Sequence, residues 1–540
     1  MSAAQAARPA RAPGPAPAPA RGALAGVGPL LRQNLRRDRI IAPIWLLALA
    51  GLCLVSAAAT SGLYATEAER VRAAEALNAN AGIVALYGPI LDVRSTGEVA
   101  MTKMTVLYAM FAAMLFVVLI RRHTRVEEES GRAELVGATA VGRDAPLAAA
   151  VAESALLAVI LGLAVALANI AGGLDPRGSA VFGLIWLGSG LVAIGIAAVC
   201  AQASASARTC AAAAAGVFGL LYALRAAGDA GRAGWASWAS PLGWNTQVRA
   251  WSGTRWWALP LYPALAAALL WLAWRLRARR DLGAGLIAAR PGPPAGSARL
   301  AGALPLTLRV QAGALGVWTA AAAAMGLLFG FISPGLNSLM DSATAQQLID
   351  RLGGQMLAAV LSIAAIAITC FPISVLSHAA ADEAAGRAEA VLATGTSRGR
   401  WLGAALLVAL LGATWLLLVT GIALWVGYAG AGGPPTGNLL AAALGWAPAI
   451  WVVTGLAAAP LALRASWAVI GWGWPALFLT LTVIGELARF PGWLSGLSPY
   501  SHVPAMPAQP WRWAPQLALA AIAAALLAGA WLRFRARDIG

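Results

Sequence analysis

Long apolar runs divide the chain, and nearly all of its charge is gathered in the polar stretches between them. The runs cover about 41–63, 99–120, 147–171, 180–202, 208–227 and 258–275, then 311–332, 356–377, 401–429, 438–462, 464–487 and 515–533. Each is close to or above the roughly 20 apolar residues with which a helix crosses about 30 Å of hydrocarbon. They are too long for barrel strands and lack the alternation of such strands. In lipid the backbone must then satisfy its own hydrogen bonds within each segment, as a helix does. The pattern therefore predicts an all-α membrane protein with twelve transmembrane helices.

Composition sharpens this reading. A soluble domain is roughly half apolar and about a quarter charged, whereas here 60% of residues are hydrophobic and 11% charged. The formal net charge of +17 raises the question of a nucleic-acid partner, but its placement argues against one. With the N-terminus inside, about two thirds of the 39 Lys and Arg residues fall in cytoplasmic segments, which is the asymmetry that orients a membrane protein. The expected location is the plasma membrane, multi-pass, with both termini cytoplasmic and lipid as the surrounding partner. Residues 1–22 are rich in Pro and Ala and read as a disordered cytoplasmic tail. The first apolar run is long enough to be retained as a span rather than cleaved.

The polar stretches are not all unrelated. Aligning Glu128 with Glu383 sets "EESGRAELVGAT" against "EAAGRAEAVLAT", identical at 8 of 12 positions. The same register pairs His123 with His378 and Arg143 with Arg398. Each half also closes alike, on "RARRDLG" from Arg277 and "RARDIG" from Arg535, preceded by "SPLGW" from Ser240 and "SPYSH" from Ser498. Two tandem six-helix halves of the same orientation follow: 23–275 and 311–540, joined by a cytoplasmic linker over 276–310 that contains "ARPGPPAGSARLAG". The repeated segment lies between the second and third spans of each half. Gly131 and Gly386 allow a sharp break there, because glycine reaches backbone angles closed to other residues. The residues after each glycine suit a short helix, a handle that another protein can push.

Two sets of six spans, each with an "E-x-x-G-R-x-E-x-V/L-x-A-T" segment after span two, resemble the permease of an ABC-2 (type V) exporter. More narrowly, the chain resembles the fused twelve-span permeases of actinobacterial polyketide-antibiotic exporters, the tetronasin exporter among them. The resemblance covers nearly everything after residue 22. It implies that the loop after span two is a coupling helix docking on an ATPase. Glu128, Gly131, Arg132 and Glu134, with Glu383, Gly386, Arg387 and Glu389, would transmit motion from two copies of a cytoplasmic ABC ATPase subunit. It also implies that the first half begins with an amphipathic helix along the inner membrane surface, at about Ala23 to Arg39. The implied substrate is a hydrophobic or amphipathic small molecule such as an antibiotic, a drug or a lipid-like compound.

The chain's own inventory fits a separate motor. A phosphate-binding P-loop needs a lysine after a glycine-rich turn, and the single lysine, Lys103, sits in "VAMTKMT". No cofactor is expected on this chain; ATP and magnesium belong on the partner subunit. No nucleophile elbow or histidine metalloprotease signature occurs, so no enzymatic activity and no metal site are expected. Glu153 is the acidic residue well inside an apolar run, a possible intramembrane polar site. Proton coupling, substrate contact, and a place near the inner end of span three within reach of water or an arginine are all open to it. An ion-gradient-driven secondary transporter using Glu153 is the alternative function. His123 and His378 read as interfacial structure and the four cysteines as buried free thiols. The tryptophans before spans six and twelve read as a headgroup belt or an exit gate.

Overall fold

The computed structural model describes residues 22–63, 66–79, 81–230, 234–281, 283–287, 295–297, 300–338, 356–432, 438–481, 491–506 and 509–538. All but the last residue of the expected N-terminal tail lies outside them. The chain packs as two compact units, Met1–Pro291 and Gly292–Gly540, each with its own apolar core.

Unit 1 begins with α1 (Val27–Arg37), whose last turn carries Arg36 and Arg37, and α2 (Ile41–Leu63). Two short helices follow, α3 (Glu67–Ala79) and α4 (Ala81–Tyr87). The second span is compound: α5 (Thr96–Lys103), a π turn over Met104–Tyr108, and α6 (Ala109–His123). After α7 (Arg125–Glu129) and α8 (Arg132–Gly137) come α9 (Ala145–Ala171), α10 (Pro176–Ala203) and α11 (Ala207–Ala230). Short helices α12 (Gly234–Ala239) and α13 (Pro241–Gln247) lead to α14 (Leu261–Ala278). The central helix is α10, which meets α6, α9, α11, α13 and α14.

Unit 2 runs through α15 (Ala303–Ser338), α16 (Met356–Ile368), α17 (Cys370–Ala384), α18 (Arg387–Leu392) and α19 (Arg398–Gly430). It continues with α20 (Leu439–Leu444), α21 (Ala447–Leu463), α22 (Gly473–Leu479), α23 (Gly492–Ser495) and α24 (Trp513–Arg535). Helix takes both ends of the expected linker, since α14 reaches Ala278 and α15 starts at Ala303. Pro305 falls in the first turn of α15, where a missing N–H breaks no helical bond. Both units pair the same spans: the first with the third (α2 on α9, α15 on α19) and the fourth with the sixth (α10 on α14, α21 on α24).

Among the described residues, eleven helices are long and apolar enough to cross a membrane. The run expected over 464–487 is a 3-10 helix over Ala465–Trp472 followed by α22, and residues 482–490 lie outside the described residues. Small residues let helices close on one another where lipid supplies no hydrophobic force between them. A Cβ on Gly183 would stand 2.4 Å from the Gly162 carbonyl oxygen, and one on Gly162 2.7 Å from that of Gly183. Gly183→Val should therefore push α9 from α10 and cost about 1–3 kcal/mol, read as a lower melting temperature in detergent.

In each unit the segment before the last span grips an irregularity in the second. Asn245 of α13 donates through Nδ2 to the Thr105 carbonyl in the π turn at 2.8 Å, while Ser189 and Tyr262 donate to its Oδ1 at 2.8 and 2.7 Å. Pro372 lacks the N–H that would extend α16 into α17, and the helix breaks at Thr369. The buried Thr369 hydroxyl pairs there with that of Tyr500, from "SPYSH". Asn245→Ala would leave the Thr105 carbonyl and two hydroxyls to find new partners, a loss of about 1–3 kcal/mol per orphaned buried group, measurable by thermal unfolding. The tryptophans near these segments divide: Trp235, Trp256, Trp257, Trp493 and Trp513 are exposed, as an interfacial belt needs. Trp251 is instead packed against Gly97 and Gly178.

Candidate functional site

The repeated segment builds the same object twice. After α6 the backbone turns at Thr124 (φ −123°, ψ −82°), makes the single turn of α7, and reverses at Gly131 (φ 72°, ψ −2°) into α8. In unit 2, α17 runs directly to Gly386 (φ 71°, ψ 1°) and α18 follows. Both glycines occupy the left-handed region, which costs other residues roughly 1–2 kcal/mol, so the break is fixed by residue type at both positions.

What holds each handle is an ion pair with the far end of its unit, buried in unit 1 and half-buried in unit 2. Glu128 takes Arg280 in a two-point grip, Nη2 to Oε1 at 2.6 Å and Nη1 to Oε2 at 2.9 Å. Arg125 adds a third contact to Oε2 at 2.9 Å and donates to the carbonyls of Ala201, Gln202 and Ala284. Arg280 Nε also reaches Gln202 Oε1 at 2.8 Å. The knot therefore joins the handle, the end of α10 and the arm that follows α14. In unit 2, Glu383 pairs with Arg537. Arg143 donates to the carbonyls of Arg277 and Arg280 at 3.1 and 3.0 Å, and its repeat partner Arg398 donates to the Arg537 carbonyl at 2.8 Å. Ala380 stands where unit 1 has Arg125, so the second knot is thinner.

The expected coupling residues thus fall into two groups. Glu128 and Glu383 face inward onto arginines, and Gly131 and Gly386 make the bends. Arg132, Glu134, Arg387 and Glu389 lie on exposed helix surface. Arg132 stands 3.6 Å from Glu127, which itself holds Arg37 of α1 at 2.7 Å, and Arg387 holds Asp382 at 2.8 Å. Leu135 of α8 is 72% exposed. Arg280 and Arg537 were visible as members of the repeated terminal motif, but nothing along the chain joined them to the glutamates.

Glu153 is fully buried, and it stands beside His123. His123 is itself buried, its Nε2 2.6 Å from Asp38 Oδ2 and 3.4 Å from Glu153 Oε2, and Arg122 meets Asp38 Oδ1 at 2.7 Å. The carboxylates come from positions 38 and 153, too far along the chain for a spacing motif to reveal. Unit 2 has no such set among the described residues: His378 is retained, but Val408 takes the register position of Glu153. The four cysteines are free, with Cys53, Cys200 and Cys210 buried and Cys370 half-buried. A cleft of about 450 Å³, lined by Asn34, Arg37, His123, Glu127, Val136 and Arg280 among others, opens between α1, the handle and the arm after α14.

Residues 300–535 match the family model of the C-terminal domain of the multidrug efflux system permease Rv1217c. Over 521 residues the chain is 37% identical to the multidrug efflux system permease protein Rv1217c of Mycobacterium tuberculosis (strain ATCC 25618 / H37Rv), covering 94% of each chain. The chain belongs to this family of efflux permeases. The matched domain extends from just before α15 to the end of α24, so it takes in the handle of unit 2 and stops two residues short of Arg537. Membership makes the permease a multi-pass membrane transport protein rather than an enzyme, in agreement with the eleven apolar helices among the described residues.

Proposed function

We propose that this permease is the membrane-spanning subunit of an ABC exporter that moves hydrophobic or amphipathic small molecules, antibiotics and drugs among them, out of the cell. Its motor is a separate ATPase present in two copies, one on each handle, with ATP and magnesium bound there. The handles and both termini are cytoplasmic, and the membrane is the plasma membrane. The narrower resemblance to polyketide-antibiotic exporters of the tetronasin type names the first substrates to try. The observation that carries the proposal is the twin handle: a glycine-broken helix in each unit, anchored by a Glu–Arg pair to the arm after that unit's last span. A push on either handle is thereby passed to the second and the last span together, because both ends of the ion pair are seated in helices or their direct extensions.

The test is transport in vesicles carrying the permease and the ATPase that co-purifies with it. Efflux that stops when ATP is withheld and persists with a protonophore supports the proposal. Efflux that needs no ATPase, collapses with the protonophore and is lost in Glu153→Gln would replace it with the ion-gradient alternative.

A further inference from the structure

Where the end of α1 meets α6 and α9, three ligand-bearing side chains converge. The ligand atoms of Asp38, His123 and Glu153 all lie within 4.8 Å of one another, and each side chain is no more than 1% exposed. The protein itself does not complete this cluster. Arg122 serves Asp38, Glu153 has only a loose side-chain contact from Asn34 that falls short of good hydrogen-bond geometry, and His123 Nδ1 has no partner. Two ionised carboxylates buried beside Arg122, with Arg37 engaged by Glu127, would be strongly unfavourable without further positive charge. A proton on Glu153 or a bound cation would supply it.

The donor set says which kind. One imidazole nitrogen with two carboxylate oxygens suits a divalent first-row transition ion, with a further position left open. Two ligands on a tetrahedral ion with bonds of about 2.1 Å stand about 3.4 Å apart, and His123 Nε2 and Glu153 Oε2 are 3.4 Å apart. His123 Nε2 and Asp38 Oδ2, 2.6 Å apart, are at hydrogen-bond distance and would open by about 1 Å to share an ion. Metal binding needs a neutral imidazole with its proton on Nδ1, the nitrogen that has no partner. Access is available because His123 lines the 450 Å³ cleft, so an ion need not cross a span.

We propose that Asp38, His123 and Glu153 bind one divalent transition-metal ion of the zinc class, which staples the end of α1 to α6 and α9. The site belongs to unit 1 alone, since Val408 stands in the register position of Glu153. The proposal does not depend on the exporter reading, and its test does not use transport.

Full-length permease with a histidine-free tag, in lipid nanodiscs, is stripped with chelator and dialysed against Zn(II), with Mn(II) and Mg(II) in parallel. Bound metal is counted by mass spectrometry, and Co(II) loading is followed by its visible absorption. The expected result is one Zn(II) per chain, an intense four-coordinate Co(II) band, a melting temperature that rises with zinc, and no uptake of Mg(II). Glu153→Gln, close to isosteric, and Asp38→Asn should each weaken Zn(II) binding more than tenfold. The double variant His378→Asn with His502→Asn removes the chain's other two histidines and should bind as wild type. Should a ligand variant fail to fold, the wild-type stoichiometry and Co(II) band together with the His378/His502 double variant still decide the matter. Substoichiometric zinc with no thermal shift in folded wild type, or zinc lost in the double variant, overturns the proposal and leaves the cluster neutralised by a proton.

Discussion

Glu128→Ala is expected to lower stability by about 3–5 kcal/mol, the usual cost of removing one partner from a buried ion pair, and to reduce efflux to background. The reason is the company Glu128 keeps. Its carboxylate sits between Arg280 and Arg125 with side chains 4% exposed or less, so alanine strands two guanidinium groups rather than one. Stability is read by thermal or denaturant unfolding of the detergent-solubilised permease, and efflux in vesicles with its ATPase. Adding Arg280→Ala to Glu128→Ala should recover part of the stability, because the stranded charge goes with it. The coupling energy of that cycle should exceed about 1 kcal/mol, within the range for residues of one ion-pair network. Glu383→Ala should cost less, since Arg537 is its sole ion-pair partner among the described residues and that pair is more exposed. Equal losses from the two alanines would mean that Arg125 contributes nothing to the knot in unit 1.

Leu135→Asp should have the opposite signature, with stability unchanged to within about 0.5 kcal/mol, as for an exposed position, but transport lost. Leu135 gives α8 the handle's most exposed apolar side chain, and a docking partner would bury it. A buried aspartate in its place would then be opposed by desolvation. At the corresponding position of unit 2 stands Ala390, which offers less surface, so Ala390→Asp should reduce ATPase recovery by less. Co-purification of the ATPase with each variant separates the two predictions. Full ATPase recovery with Leu135→Asp would remove α8 from the docking surface.

Much of this architecture could be read from residue order alone. Apolar length is a property of each segment by itself, so among the described residues eleven runs emerged as helices close to where the pattern put them. Gly131 and Gly386 were legible for the same reason: the bend depends on the residue that makes it. Contacts across the chain were not. Glu128 and Arg280 are 152 residues apart, and Glu383 and Arg537 are 154. Both motifs were evident as repeats, yet only folding shows that one repeat grips the other. The Asp38–His123–Glu153 cluster left no spacing signature, because each member comes from a different segment. Irregularities within spans divide on the same principle. The break at Thr369 has Pro372 to announce it, whereas the π turn over Met104–Tyr108 contains no proline or glycine. It is recognisable only through the Asn245 amide that takes up the Thr105 carbonyl.

The substitution of Val408 for the counterpart of Glu153 bears on why one gene should encode both halves. In a homodimer every change is made in duplicate, so a buried acid in one subunit obliges a buried acid in the other. Tandem fusion lifts that obligation. One half can keep a polar station while its twin becomes greasy, and the two handles can drift apart in strength, as Arg125 and Ala380 have done. Mutagenesis of this permease should accordingly be scored position by position, with no expectation that a lesion in one half forecasts the lesion at its twin.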